Sequence, residues 1–79
     1  MTETENRWVK TARDQLQGRR IVHVRYMRED EADSLGWASR PVVLVLDDGN
    51  LIYPAADDEG NDGGAFYTNN EQNPVLPVI

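Results

Sequence analysis

The stretch Val42-Val43-Leu44-Val45-Leu46-Asp47-Asp48-Gly49-Asn50-Leu51-Ile52-Tyr53 constrains the fold more than any other part of the chain. Its first five residues are apolar without alternation, which predicts a central strand covered on both sides. The Asp-Gly pair that follows supplies the backbone angles of a tight hairpin turn. Leu51, Ile52 and Tyr53 then return antiparallel, and Pro54 stops the strand. A lone hairpin is marginal in water. The rest of the 79 residues must therefore provide more strands and something to cover them.

The remaining segments supply both. Thr2-Glu3-Thr4-Glu5 fits a capping box, in which the Thr2 hydroxyl and the Glu5 carboxylate each satisfy an orphan amide of a first helical turn. Trp8, Val9, Ala12 and Leu16 recur at helical spacing, and Gly18 stands where a helix commonly ends in a left-handed residue. This predicts an amphipathic helix over residues 1–18 with Trp8 as its anchor. Arg20 to Met27 is rich in β-branched residues and reads as a strand. Val22, Val24 and Tyr26 lie on one face, with Ile21, His23, Arg25 and Met27 on the other. Both faces are partly apolar, so the helix or a curl of the sheet is expected to cover the second. Residues 29–36 read as a short acidic helical turn closed by glycine. Ala65 to Thr68 and Val75 to Ile79 are two further short strands, the last confined to an edge by Pro74 and Pro77.

Five short strands and one amphipathic helix define a single α+β domain over residues 1–79, with the helix in 1–18 and the β-rich part in 19–79. The expected architecture is the helix packed on a small, strongly twisted antiparallel sheet that curls toward an SH3-like barrel. An open sheet with the helix across one face is the alternative. A chain this short buries only about 60% of the surface its unfolded form exposes, so the core is small. With no cysteine, neither a disulfide nor a thiolate metal site can reinforce it.

Charge is divided unevenly along the chain. Residues 1–40 hold all eight basic residues and seven acids, a net of +1, while residues 41–79 hold seven acids and no Lys or Arg, a net of −7. The acidic half would repel a phosphate backbone, which argues against nucleic acid as a partner. Residues 1–20 lack the apolar core of a signal peptide, and the longest apolar run is far below the roughly 20 residues that cross a bilayer. A cytoplasmic protein with no membrane association is expected, and a monomer is favoured.

The run GWASRPVVLVLDDGNLIYPAADDEGNDGGAFY resembles a family of short uncharacterised bacterial proteins of similar length. Those chains carry a Gly-Trp, a Pro-led apolar strand, an Asp-Asp-Gly turn and an acidic Glu-Gly-Asn loop before a Gly-Ala-aromatic strand. The resemblance covers most of residues 20–79. It implies a single-domain protein and brings no assigned reaction with it.

The loop YPAADDEGNDGGAFY collects most of the polar candidates. Asp57, Asp58, Glu59, Asn61 and Asp62 offer hard oxygen ligands close together. An EF-hand needs ligands at its first, third and fifth positions, glycine at the sixth and glutamate at the twelfth. Starting at Asp58 puts Gly60 third and Asn69 twelfth; starting at Asp57 puts Asp62 sixth. Neither register closes. A cation site of another geometry, from Asp57, Glu59 and Asp62, is the alternative reading. The simpler one is a connection shaped by its own backbone contacts, with Gly63-Gly64 permitting a close approach beneath an aromatic ring.

Catalysis finds little support. His23 stands alone on a strand of mixed face, Ser34 and Ser39 lie in turn contexts without a nucleophile-elbow pattern, and exposed neighbouring carboxylates lack the apolar pocket that raises a pKa. GNDGG lacks the lysine and helix of a phosphate loop. No cofactor is expected. Trp37, Tyr53 and Tyr67, near Pro41 and Pro54, would line a groove of the kind that accepts proline-rich peptides, with the acids pairing a ligand arginine. The chain lacks the ALYDY-like stretch of true SH3 domains. The expected role is a non-enzymatic protein-binding module using an acidic, aromatic face, with divalent cation binding by residues 57–62 as the alternative.

Overall fold

The computed structural model describes residues 2–55 and 63–79. Helix α1 spans Glu3–Leu16, strand β1 Ile21–Tyr26, helix α2 Glu29–Ser34, β2 Val42–Leu46, β3 Leu51–Pro54, β4 Phe66–Thr68 and β5 Val75–Leu76. The strands form one antiparallel sheet in sequential order, β1-β2-β3-β4-β5. The α+β architecture is thus the expected one, but the sheet is open. Among the described residues β1 pairs with β2 alone and β5 with β4 alone. The cause is the taper of the strands, from six residues in β1 to two in β5. Two residues flanked by Pro74 and Pro77 cannot supply a ladder that closes a barrel. The radius of gyration, 13.4 Å, agrees, since a compact chain of this length would have about 12 Å.

Local chemistry sets each element. The capping box forms: Thr2 Oγ1 accepts from the Glu5 N–H at 3.1 Å, and the Thr2 N–H donates to Glu5 Oε1 at 3.1 Å. Helix α1 ends at Leu16, where Gln17 turns extended; Gly18, at φ +78°, is the second corner of the turn that follows, closed by the Arg19 N–H donating to the Leu16 carbonyl at 3.2 Å. In the β2–β3 turn the Gly49 N–H donates to the Leu46 carbonyl at 3.0 Å, and Gly49 has φ +86°. No other residue of the turn has positive φ. The hairpin is therefore a three-residue loop with a glycine bulge rather than a two-residue turn. The Asp48 carboxylate accepts from both the backbone and side-chain amides of Asn50, each at 3.0 Å. The polar turn before β5 is held by Asn70, whose Oδ1 accepts from the N–H groups of Gln72 and Asn73 at 2.9 Å.

The core divides across the sheet. On one face Val43 packs with Met27 and Ala32 of the α2 region, under half-buried Trp37, Leu51 and Tyr53. On the other, Leu46, Ile52, Thr68 and Leu76 are buried, where α1 approaches β5. The α1 residue buried there is Gln15, whereas Trp8 is half-buried and lies beside the Arg7 guanidinium, 5.6 Å from its ring centre. Trp8, Val9, Ala12 and Leu16 are all half-buried along the expected stripe, with Gln15 the one fully buried residue of the helix.

Strand β1 differs most from expectation. A bulge between Ile21 and His23 inserts one extra residue, and Ile21 faces Leu46 while His23 faces Val45. Because Leu46 and Val45 point to opposite sides, Ile21 and His23 do too. Among the described residues no helix covers these side chains: Ile21, Val22, Val24 and Tyr26 are 56–63% exposed.

Leu46→Ala is expected to cost about 2–5 kcal/mol in urea unfolding, and Trp8→Ala clearly less. Equal losses would show that half-buried Trp8 contributes as much as a fully buried core residue.

Candidate functional site

Helix α2 delivers Trp37 to the sheet through its C-terminal end. The Trp37 N–H donates to the Ala32 carbonyl at 2.9 Å and the Gly36 N–H to the Asp33 carbonyl at 3.0 Å, with Gly36 at φ +75°. This paired closure of a helix is the Schellman arrangement, in which the residue after the glycine packs back on the last turn. Tyr53 on β3 and Tyr67 on β4 are direct cross-strand partners. The three rings meet: the centroids of Tyr53 and Tyr67 are 5.5 Å apart, and Trp37 lies 6.1 Å from Tyr53 and 6.2 Å from Tyr67. Trp37 stacks near-parallel to Tyr67, at 22°, and stands edge-on to Tyr53, at 76°. Such arrangements satisfy the ring quadrupoles. All three rings are half-buried, so they roof the small core and still present surface. Burial pushes the Tyr53 phenol above its ordinary pKa, with the neighbouring Tyr67 and Glu31 adding to the effect.

Two grooves flank Trp37. One, of about 320 Å³, runs between Trp37, Pro41, Pro54 and Ala55. The other, of about 530 Å³, lies between Trp37 and α2, with Glu29 and Asp33 in its wall and Tyr26 at its far side. Ser39 and Arg40 border both. Glu29 and Asp33 belong to no ion pair among the described residues. Sequence reasoning did not single out this second groove. Its signal was present: Glu29, Asp33 and Trp37 recur every four residues, which aligns them along one side of a helix and its closing turn.

The sequence candidates therefore separate. Trp37, Tyr53 and Tyr67 come together as expected, while Asp57, Asp58, Glu59, Asn61 and Asp62 lie outside the described residues. So does the alternative cation set Asp57, Glu59 and Asp62. Among the described residues no group of three or more His, Cys, Asp or Glu side chains could hold a metal ion. No helix of the described residues is long and apolar enough to cross a membrane.

The neck of the acidic segment is described, and it adjoins the first groove. The Ala55 N–H donates to the Ala65 carbonyl at 2.9 Å. Gly64 sits so close that a Cβ there would meet the Ala55 carbonyl oxygen at 2.8 Å. The close approach expected of the Gly63-Gly64 pair thus exists, but against backbone rather than beneath a ring. Only glycine fits that position without displacing the chain.

A fork of hydrogen bonds holds α2 in place. Arg25 on β1 donates to Glu31 through Nη1 at 2.8 Å and Nη2 at 3.1 Å, and Glu31 Oε1 also accepts from the Arg28 N–H at 2.8 Å. The Arg25 side-chain bonds, then the Arg28 amide, lower the Glu31 pKa from 4.5 to about 2. A depressed carboxylate pKa contributes stability that is complete above the unfolded value and disappears as pH falls through the folded one.

Two outcomes follow for this region. Thermal unfolding of Glu31→Gln should lag the wild type at neutral pH, with the gap narrowing from pH 4.5 down to about 2; a gap constant across that window would contradict the pairing. Gly64→Ala should shift the amide resonances of Ala55 and Ala65 and lower the melting temperature, while Gly63→Ala, which meets open space, should do neither. No protein family model, no curated protein and no solved structure matches this chain.

Proposed function

We propose that this chain is a small non-enzymatic protein-binding module that accepts an extended, basic, proline-bearing segment of another protein across Trp37. The observation that carries this reading is the position of Trp37 between an apolar groove walled by Pro41 and Pro54 and a second groove walled by Glu29 and Asp33. A polyproline segment is already extended before it binds, so it loses little conformational entropy on entering a groove lined by aromatic and proline rings. An arginine a turn away in that segment would reach Glu29 and Asp33 through charge-assisted hydrogen bonds. The Trp37 face offers a guanidinium a further attraction. Glu29 and Asp33 make the α2 wall the pocket for that basic side chain, with Arg40 at the rim the two grooves share. Asp57, Asp58, Glu59 and Asp62 follow soon after Ala55 in the chain and add to the same charge preference.

The test is a synthetic peptide carrying arginine and spaced prolines, titrated into labelled protein while amide and indole resonances are recorded. Shifts are expected at Trp37 Nε1, Ser39, Arg40 and Ala55. The double substitution Glu29→Gln with Asp33→Asn should weaken binding about tenfold and flatten its salt dependence. Because Trp37 also roofs the core, Ser39→Arg at the exposed rim is the cleaner block: it should abolish binding without changing the melting temperature. Unmoved resonances at millimolar peptide, or full affinity in Ser39→Arg, would refute the reading.

A further inference from the structure

The two edges of the sheet are built differently. β5 is two residues long and flanked by Pro74 and Pro77, which is how natural sheets blunt an edge against pairing. β1, at six residues the longest strand, has no proline. The Met27 N–H donates to the Pro41 carbonyl and the Asp47 N–H to the Arg20 carbonyl, both at 2.9 Å. Strand alternation then turns the N–H and C=O groups of Val24 and Tyr26 away from β2. Of these, among the described residues, the Tyr26 carbonyl receives one bond, from Arg25 Nη1 at 3.2 Å. The side chains along this edge are apolar and exposed, Val24 at 57% and Tyr26 at 63%.

From this edge we infer that two copies of the chain pair antiparallel through β1. The charge pattern selects a second copy over an unrelated strand. From residue 19 the sequence runs Arg-Arg, then Ile-Val-His-Val-Arg-Tyr-Met, then Arg-Glu-Asp-Glu: basic at one end, mostly apolar in the middle, acidic at the other. Such a strand is complementary to its own reverse. Antiparallel pairing brings the Arg20 end of each copy to the Asp30 end of the other. In this register Arg20 meets Asp30: Arg20 belongs to no ion pair among the described residues, and Asp30 is held only by an exposed pair with Arg28 at 3.2 Å, which leaves Glu29 to the groove beside Trp37. The bulge at Ile21–His23 places the regular ladder further along, with Val24 opposite Tyr26 of the second copy, a β-branched–aromatic pair of the favourable kind. The axis then falls at Arg25, whose charge is met in each copy by Glu31 at 2.8 Å. Pairing requires the Arg25–Tyr26 bond to yield to a ladder bond. The interface is isologous and closes on itself. The outer edges of the joined sheet are the two proline-guarded β5 strands, so assembly stops at two.

Sedimentation of the full chain from micromolar to millimolar concentration tests this, and the expected mass is twice that of one chain. Val24→Pro removes an outward amide that no strand within the copy uses, so it should give a single-chain mass with unchanged Trp37 and Ala32 resonances. Should proline unfold the strand, Val24→Lys, which places like charges near the axis, should do the same. Arg20→Glu should raise the dimer dissociation constant about tenfold at low salt, and adding Asp30→Arg should reverse that loss. A single-chain mass for the wild type at millimolar concentration overturns the inference, as does a dimer that survives both Val24 substitutions.

Discussion

Val43 and Leu46 point to opposite sides of β2, and the rest of the structure is arranged to cover both. At 1% and 4% exposed they are among the most buried residues of the chain. Removing a residue of that kind from water stabilises the fold by about 1.5–3 kcal/mol, a large share for a domain of this size. One side is closed by α2 and the Trp37 that its Schellman end returns to the sheet; the other is closed where α1 meets β5. With α2 packed over Val43 and α1 meeting β5, β1 has a strand partner on one side only among the described residues.

This division of a small core shapes the surface. Trp37, Leu51 and Tyr53 cover Val43, and Tyr67 packs on the two rings, yet too few large side chains exist to bury the rings fully. A half-buried aromatic cluster between two grooves is the consequence. The Arg25–Glu31 fork fixes α2 from the β1 side and so determines where Glu29 and Asp33 stand relative to Trp37. Stability and the proposed recognition surface therefore share the same few contacts, and substitutions at Trp37 or Glu31 are expected to affect both.

Much of this was legible in the residues. The Asp-Gly turn, the capping box, the five strands and the confinement of the last strand by proline follow from short-range rules that tertiary contacts did not override. The three rings could be grouped because each lies next to a strand or helix end that faces one way. What could not be read were quantities that depend on counting across elements. The extra residue at Ile21–His23 reverses the faces of one strand, and no local signal marks it. Whether a sheet closes depends on the length of its last strand against its first, and Val75–Leu76 is shorter than the apolar run Val75 to Ile79 implies. Trp8 dominated the helix pattern by size, yet the fully buried residue of α1 is the polar Gln15, which an apolar stripe does not mark. The alignment of Glu29, Asp33 and Trp37 was readable by helical spacing and became meaningful once Gly36 was seen to continue it.

The most direct test of the central claim, that the Trp37 face is a binding surface rather than only a lid on the core, uses tryptophan emission. The chain has two tryptophans, so Trp8→Phe leaves Trp37 as the sole reporter. Addition of an arginine- and proline-bearing peptide should shift its emission saturably and shield it from a soluble quencher. Emission and quenching that stay constant to saturating peptide would contradict the account.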